Sequence, residues 1–252
     1  PPISTLFPYT TLFRSDARVG LKLVLDMINH CTEWYANPRV EHEFIELPDR
    51  IRLDFSDGSH VEQWCNGRLW GAYRGMHVSS YVFQSILMAF ERWLLEYGEQ
   101  YPEQLDKLLL GILKRSTSVA ITAVVAGIAT SRPHDSGETL LVLLRSPACM
   151  SLDRARLAAE SQTTHMYGLF GDGMIPGNRV YEDERKASNA LPHRQKDLED
   201  AIANLQLGPL RTRVHAIIDE QLSSFKPVAE QSEEDRVRRL ALHRMDLRQY
   251  TL

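Results

Sequence analysis

The sequence predicts a mainly α-helical protein, an irregular HEAT/armadillo-like helical array that carries a small β-hairpin insert. Over most of residues 76–252, apolar residues recur every three or four positions, which is the period of a helix packed on one side. One short stretch instead alternates apolar and polar residues around an Asp-Gly pair, which indicates a hairpin. Helices in close succession are typical of α-solenoids, although no fixed-period repeat occurs here.

The first fifteen residues do not resemble natural protein. The stretch TLFPYTTLFRS, residues 5–15, matches the in-frame translation of a common adapter used in short-read sequencing libraries. We therefore interpret residues 1–15 as a non-native, adapter-derived segment and leave it out of the fold prediction. We expect this segment to have no evolved packing surface, and we expect the chain to be a fragment that lacks whatever preceded Asp16.

Residues 16–42 are predicted to hold a truncated helix that ends near Pro38. Its main apolar stripe runs through Val19, Leu23, Met27 and His30, and a second stripe widens the apolar face. The second stripe contains Leu21, Val24, Leu25 and Ile28. We expect part of this face to be exposed, because a preceding module would have covered it.

The β-hairpin insert is predicted over residues 43–75, with its strands between 43 and 66. The alternating runs are separated by Ser56-Asp57-Gly58-Ser59, where Gly58 supplies the positive φ that a tight turn needs.

A helical core is predicted over residues 76–165. Its third helix, 119–130, consists mostly of Ala, Val, Ile and Gly, which predicts a central helix that its neighbours approach closely. Ser116 or Ser118 is expected to cap this helix, and Ser136 the next one. The helices are predicted over 78–97, 105–113, 119–130, 140–147 and 151–165.

The remainder is predicted as a loop over 166–192, rich in Gly and Pro, followed by C-terminal helices over 193–252. Three helices are expected there, near 194–205, 209–225 and 233–249. Ser232 and Asp235 have the spacing of a capping box at the start of the last one.

Common catalytic and ligand-binding motifs do not occur. The chain has no GxxxxGK[ST], GxSxG or HExxH pattern, and the segment GDGMIPG at 171–177 lacks the Lys of a phosphate loop. We therefore assign no catalytic, cofactor-binding or metal-binding residue. The acidic pairs Glu91/Glu96 and Asp197/Asp200 lie near basic residues, and we interpret both as solvated ion-pair surface.

Two groups of residues are candidate interfaces. Trp64, Trp70, Tyr73 and Arg74 fall in one short stretch, and aromatic residues with Arg are typical of binding anchors, although packing inside the fold is the favoured interpretation. The last helix is basic and amphipathic, with Arg238, Arg239 and Arg244 as its candidate contact residues. An acidic partner within the chain, in Glu230 or 233–235, explains these arginines more simply than nucleic acid does.

The composition is that of an ordinary soluble protein. The 252 residues are 43% hydrophobic and 25% charged, with a formal net charge of -4, which indicates a substantial core and gives no sign of nucleic acid as a main partner. The three cysteines, Cys31, Cys65 and Cys149, are too widely spaced for a disulfide framework, which favours a reducing compartment. No apolar run reaches the roughly 18 residues that cross a bilayer. We expect a cytoplasmic protein without a membrane partner.

Three helical phrases, VFQSILMAFERWLLE (82–96), SVAITAVVAGIATSRP (118–133) and QSEEDRVRRLALHRMDLRQY (231–250), give the chain a family resemblance. From about residue 70 onward it resembles the helical region of large bacterial P-loop ATPases of the STAND type, a class that includes phage-sensing defence proteins. The resemblance implies that ATP and Mg²⁺ bind in an upstream domain, and it transfers no functional residue to this chain.

On this basis we expect a non-catalytic sensor or scaffold whose partners are other domains of the same parent protein, with a separate protein partner as an addition. Two alternatives remain open. One is a self-contained helical enzyme with His165, Asp172, His193 and Arg194 gathered at one pocket. The other is a nucleic-acid-binding helical repeat that uses the C-terminal arginines.

Overall fold

The computed structural model describes residues 11–37, 47–74, 80–163 and 189–250. Within these ranges the chain is built from α-helices and one two-stranded antiparallel sheet, which confirms the mainly α-helical class with a small β-hairpin. Among the helices of these ranges, none combines the length and the apolar character that a bilayer-crossing segment requires.

Apart from a short helix at Gly67–Trp70, which lies in the predicted hairpin insert, the elements follow the predicted order. The first half contains α1 (Ala17–Tyr35), β1 (Asp49–Asp54), β2 (His60–Cys65), α2 (Gly67–Trp70), α3 (Tyr81–Gln100), α4 (Pro102–Leu113) and α5 (Val119–Ser131). The second half contains α6 (Gly137–Arg145), α7 (Pro147–Thr163), α8 (Leu198–Leu205), α9 (Arg211–Ser223) and α10 (Glu233–Met245). Short 3₁₀ turns lie at Ala72–Arg74, Pro133–Asp135, Pro192–Gln195, Val228–Glu230 and Leu247–Gln249.

Helix α5 is the centre of the fold, as its small apolar residues predict. All residues from Val119 to Thr130 are buried, and Ser118 caps the helix by accepting a hydrogen bond from the amide of Ala120. The helices α1, α2, α3, α4, α6 and α8 all contact α5, as does the turn Pro192–Gln195. The helical array is irregular because these contacts join segments that lie far apart in the sequence.

The hairpin is anchored to the connection between α4 and α5. Its turn has the predicted glycine at positive φ, Gly58 at 80°, and Asp49 pairs with Cys65 at the open end. Gln63 is buried, and its amide nitrogen donates to the carbonyl oxygens of Leu113 at 3.4 Å and Ser116 at 3.2 Å. The strands occupy 49–65, while the part of the predicted insert over 43–46 lies outside the described residues.

Helix α1 buries its second apolar stripe rather than its main one. Val24, Leu25 and Ile28 face the core, whereas Val19 and Leu23 are 51% and 52% exposed. Polar contacts fix this rotation: the hydroxyl of Thr32 donates to Ser118 Oγ at 2.8 Å, and Asn29 accepts from the amide of Thr117. Part of the apolar face of this helix is therefore exposed, as expected, and the exposed residues belong to the main stripe.

Residues 11–15 precede α1 as a short helical segment that packs against α3. Phe13 is buried, and its ring stacks on Trp93 at a centroid distance of 4.8 Å and on Phe90 at 5.8 Å. Gly20 leaves room for this ring, because a Cβ there would lie 2.9 Å from Phe13 Cδ1. Apolar burial is non-directional, so an aromatic residue of any origin at this distance before α1 fills the same slot.

Three predicted helix boundaries are wrong for identifiable reasons. Pro147 begins α7 instead of ending α6, since proline is favoured in the first helical turn. The helix expected from 194 divides into a 3₁₀ turn and α8, because Asp197 and Asp200 form a capping box at the start of α8. This capping role replaces the ion-pair surface predicted for these two carboxylates.

Residues 164–188, most of the predicted loop, lie outside the described residues.

The start of α6 is capped from another helix. Ser136 does not cap it; the Asp106 carboxylate of α4 accepts hydrogen bonds from the amides of Glu138 at 2.8 Å and Thr139 at 2.9 Å. The Thr139 hydroxyl donates to the same carboxylate at 2.6 Å. Asp106 thereby satisfies two free amides and joins α4 to α6.

Replacing Asp106 with Ala is expected to lower the free energy of unfolding by about 1–2 kcal/mol, the range for a lost helix cap. Urea denaturation of D106A and wild type measures this difference. The neighbouring exposed Lys107 provides the matched control, because K107A is expected to change stability by less than about 0.5 kcal/mol. Equal stability of D106A and K107A would contradict the capping role.

Candidate functional site

Buried charged residues gather where α3 and α7 meet the turn Pro192–Gln195. We call this group the interior charge cluster, and it consists of Arg74, Glu91, Asp153, Arg156, Glu160, His193 and Arg194. None of these residues was predicted to be part of a charge cluster, except that His193 and Arg194 belong to the alternative enzyme site.

Glu91 lies at the centre of the cluster. Its side chain is 5% exposed and forms an ion pair with Arg194, whose Nε donates to Oε1 at 3.3 Å and whose second nitrogen donates to Oε2. His193 Nε2 lies 3.1 Å from the same Oε1. The prediction that Glu91 belongs to solvated surface is therefore wrong, whereas Glu96 does pair with Arg92 at the surface. Residues 91 and 194 are joined by tertiary packing that the local pattern does not show.

The environment of Glu91 keeps its carboxylate ionised. Burial by itself raises the pKa of this carboxyl, but the charges of Arg194 and Arg74 and the hydrogen bond from His193 outweigh burial. The net result is a pKa well below the ordinary range. A carboxylate held in this state is a fixed charge and a poor general base.

Asp153 joins three elements. Its Oδ1 accepts from Trp70 Nε1 of α2 at 3.3 Å and from Arg156 Nε at 2.8 Å. Its Oδ2 accepts from Arg156 at 3.1 Å and from the amide of Leu198, at the start of α8, at 2.9 Å. Asp153 thus fixes α2 and α8 to α7.

Arg156 extends these contacts to the chain before α8. It donates to Glu160 at 2.8 Å, to the carbonyl oxygen of Arg194 at 3.3 Å and to that of Lys196 at 2.6 Å. Together with Asp153 it holds the backbone of residues 194–198 against α7. Neighbouring carboxylates keep Arg156 charged, because the pKa of its guanidinium lies well above the ordinary value despite burial.

Arg74 is the least satisfied member of the cluster. Its Nε lies 3.4 Å from Glu160 Oε1, yet within the described residues its buried guanidinium makes no hydrogen bond. The neighbouring Tyr73 ring lies 4.7 Å from this guanidinium, and the Tyr73 hydroxyl donates to the carbonyl oxygen of Ala123 at 3.3 Å. Gly127 of α5 permits the close approach, since a Cβ there would lie 3.1 Å from that hydroxyl.

These positions separate the first group of candidate interface residues. Trp70, Tyr73 and Arg74 are each no more than 5% exposed and pack inside the fold. Trp64 is half-buried, and the guanidinium of Arg50 stacks on its ring at 3.7 Å. The physical reason is that α2 packs directly against α5 and α7.

The arginines of α10 contact their own fold. Arg244 donates to Glu199 at 2.8 and 2.6 Å, Arg238 stacks on Phe225 at 5.1 Å, and Arg239 Nε donates to His243 Nε2 at 3.5 Å. The predicted intramolecular acidic partner of Arg244 exists, but it is Glu199 of α8 rather than Glu230 or 233–235. Sequence reasoning missed this pairing because 45 residues separate the two side chains.

The described residues include two of the four side chains of the alternative enzyme site. His193 and Arg194 come together at Glu91, while His165 and Asp172 lie outside the described residues. The His193 and Glu91 side chains are each 5% exposed. No group of three metal-ligating side chains occurs within the part of the chain that the structure describes. Among the described residues, the cluster's ion pairs and hydrogen bonds join α3, α7 and the turn Pro192–Gln195.

A pocket of about 630 Å³ lies apart from the cluster, between α1, α2 and the start of α3. The described part of its wall is mainly apolar and aromatic and includes one arginine, Arg68. The lining residues among those described are Met27, His30, Cys31, Thr32, Trp34, Tyr35, Arg68, Leu69, Ala72, Ser80, Val82 and Phe83. The sequence predicts α1 and α3 but places α2 in the hairpin insert, and it does not predict the gap between the three helices.

Selective alkylation is expected to distinguish the three cysteines. Burial raises the pKa of Cys149 to about 12 and that of Cys65 to about 11, while Cys31 is half-buried at the pocket. Thiolates react, so native protein treated with iodoacetamide near pH 8 should be modified at Cys31, with Cys65 and Cys149 reacting only after unfolding. Peptide mass spectrometry measures this order. Equal native labelling of Cys149 would contradict it.

A scan against models of known protein families finds no match for this chain, and a search of curated proteins finds none either.

Proposed function

We propose that this chain is a non-catalytic helical sensor or scaffold within a larger ATP-dependent protein of the STAND type, acting in the cytoplasm. The observation that carries this proposal is a difference between the charged interior of the fold and the apolar surface of α1. The interior carboxylates pair with arginines and support the fold, whereas the N-terminal half of α1 leaves Val19 and Leu23 exposed to solvent. Exposed apolar side chains on one helix face are typical of a docking surface.

The family assignment is supported by the three helical phrases at 82–96, 118–133 and 231–250. These phrases correspond to most of α3, to α5 and to α10, of which α5 is the central helix and α3 contacts it directly. In such a protein the nucleotide-binding domain docks on α1, and a partner's engagement is transmitted through the helices around α5. The occupant that we assign to Val19 and Leu23 is therefore the nucleotide-binding domain of the same protein.

The test uses residues 16–252 together with the nucleotide-binding domain encoded by the natural gene. We expect Leu23→Asp to weaken their association by at least about tenfold, because it places a charge at the centre of an apolar contact. Lys22→Gln is the matched control, since Lys22 is exposed one position away and pairs only with Asp26 on α1 among the described residues. Association that L23D leaves unchanged would refute the docking surface.

A further inference from the structure

The pocket between α1, α2 and α3 has the size and walls of a small-molecule site. Sites of this kind typically occupy about 300–1,000 Å³ and are lined by apolar and aromatic side chains with a few polar groups. At about 630 Å³ the pocket falls within this range, and Met27, Leu69 and Phe83 provide apolar wall area. An apolar ligand tail is stabilised there because its methylene groups are removed from water.

The charge on the wall indicates which ligand fits. Arg68 lines the pocket and is half-buried, and within the described residues it forms no ion pair. By contrast, the buried Arg156 and Arg194 each form an ion pair with a carboxylate. No Asp or Glu is among the described lining residues. A partly desolvated guanidinium without a counter-charge is stabilised by an incoming anion, and its planar fork matches a carboxylate.

We propose that this pocket binds an amphipathic carboxylate, with its apolar tail between α1 and α3 and its carboxylate on the guanidinium of Arg68. The inference goes beyond the proposed function, because a ligand site at these residues requires no ATPase partner. Its variants also differ from those at Val19 and Leu23, so failure of one proposal is distinguishable from failure of the other.

The experiment titrates dodecanoate, below its critical micelle concentration, into the full chain and follows tryptophan fluorescence. Trp34 lines the pocket and is 61% exposed, whereas Trp70 and Trp93 are buried, so Trp34 is the tryptophan positioned to report occupancy. We expect a saturable blue shift that Trp34→Phe abolishes. Dodecanol carries the same tail without the charge, and we expect it to bind about tenfold more weakly, the value of one charged hydrogen bond.

Arg68→Gln is expected to raise the Kd for dodecanoate about tenfold and to leave that for dodecanol unchanged. Arg18→Gln is the matched control, because Arg18 is an exposed residue at the start of α1 that does not line the pocket, and it should bind as wild type does. Thermal unfolding of both variants confirms that they are folded.

Cys31 provides a second, independent measurement, since it also lines the pocket. Dodecanoate at about four times its wild-type Kd should slow its alkylation by iodoacetamide about fivefold in wild type and less than about twofold in R68Q. Three results would each overturn the proposal: no saturable binding, equal affinity for dodecanoate and dodecanol, or equal affinity of R68Q and R18Q.

Discussion

Replacing Glu91 with Gln is expected to lower the free energy of unfolding by about 3–5 kcal/mol, the cost of leaving a buried charge without its partner. The substitution keeps the shape of the side chain but removes the charge that Arg194 and Arg74 face. Urea denaturation at pH 7 measures the loss. Glu96→Gln is the matched control on the same helix, because Glu96 pairs with Arg92 at the surface and should cost no more than about 1 kcal/mol.

The same variant has a predicted pH signature. The pKa of Glu91 in the folded protein lies below its ordinary value of 4.5, so its stabilising contribution is complete above that value and is lost as the pH falls further. Wild-type stability should therefore decrease steeply below pH 4.5, and E91Q should show a shallower decrease over the same range. Parallel pH profiles of the two proteins would contradict the ion-pair description.

Replacing Asp153 with Ala is also expected to lower the free energy of unfolding by about 3–5 kcal/mol. Arg156 is 3% exposed at its side chain and would lose one of its two carboxylate partners, while Trp70 Nε1 and the amide of Leu198 would lose their acceptor. Because these contacts fix α8 to α7, hydrogen exchange should accelerate in α8 and the turn Pro192–Gln195 before it does in α4.

The control for this change is Asp26→Asn, which removes an exposed carboxylate that pairs with Lys22 on α1. Its effect should remain below about 1 kcal/mol. If D153A exchanged uniformly across the protein, Asp153 would not have the local clamping role that its four hydrogen bonds indicate.

The features that the sequence predicts well are those set by neighbours in the chain. Asp57-Gly58 determines its own turn, because the positive φ is a property of the glycine itself. The burial of α5 follows from its composition, since an apolar residue on every side leaves no face for water.

The sequence does not predict which of two apolar stripes on a helix packs against the core. Helix α1 carries two adjacent apolar stripes, and only the hydrogen bonds of Thr32 and Asn29 to the α4–α5 connection decide which one is buried. Periodicity identifies the helix without fixing its rotation.

The sequence contains one indication of the interior charge cluster. Glu91 has Leu87 four positions before it and Leu94 three positions after it, and residues at these spacings share a helix face. Both leucines are fully buried, so the carboxylate between them is buried as well. The signal points to a buried acid, but it does not identify Arg194 as the partner, because that contact arises from the tertiary fold.

The central proposal is that this chain acts as a scaffold or sensor for a nucleotide-binding domain that the same gene encodes upstream. Reading the natural gene across the codon for Asp16 tests it most directly. We predict that the reading frame continues upstream through a GxxxxGK[ST] phosphate-binding loop followed by an acidic Mg²⁺-binding strand. A natural gene whose upstream frame contains no such motif would contradict the claim.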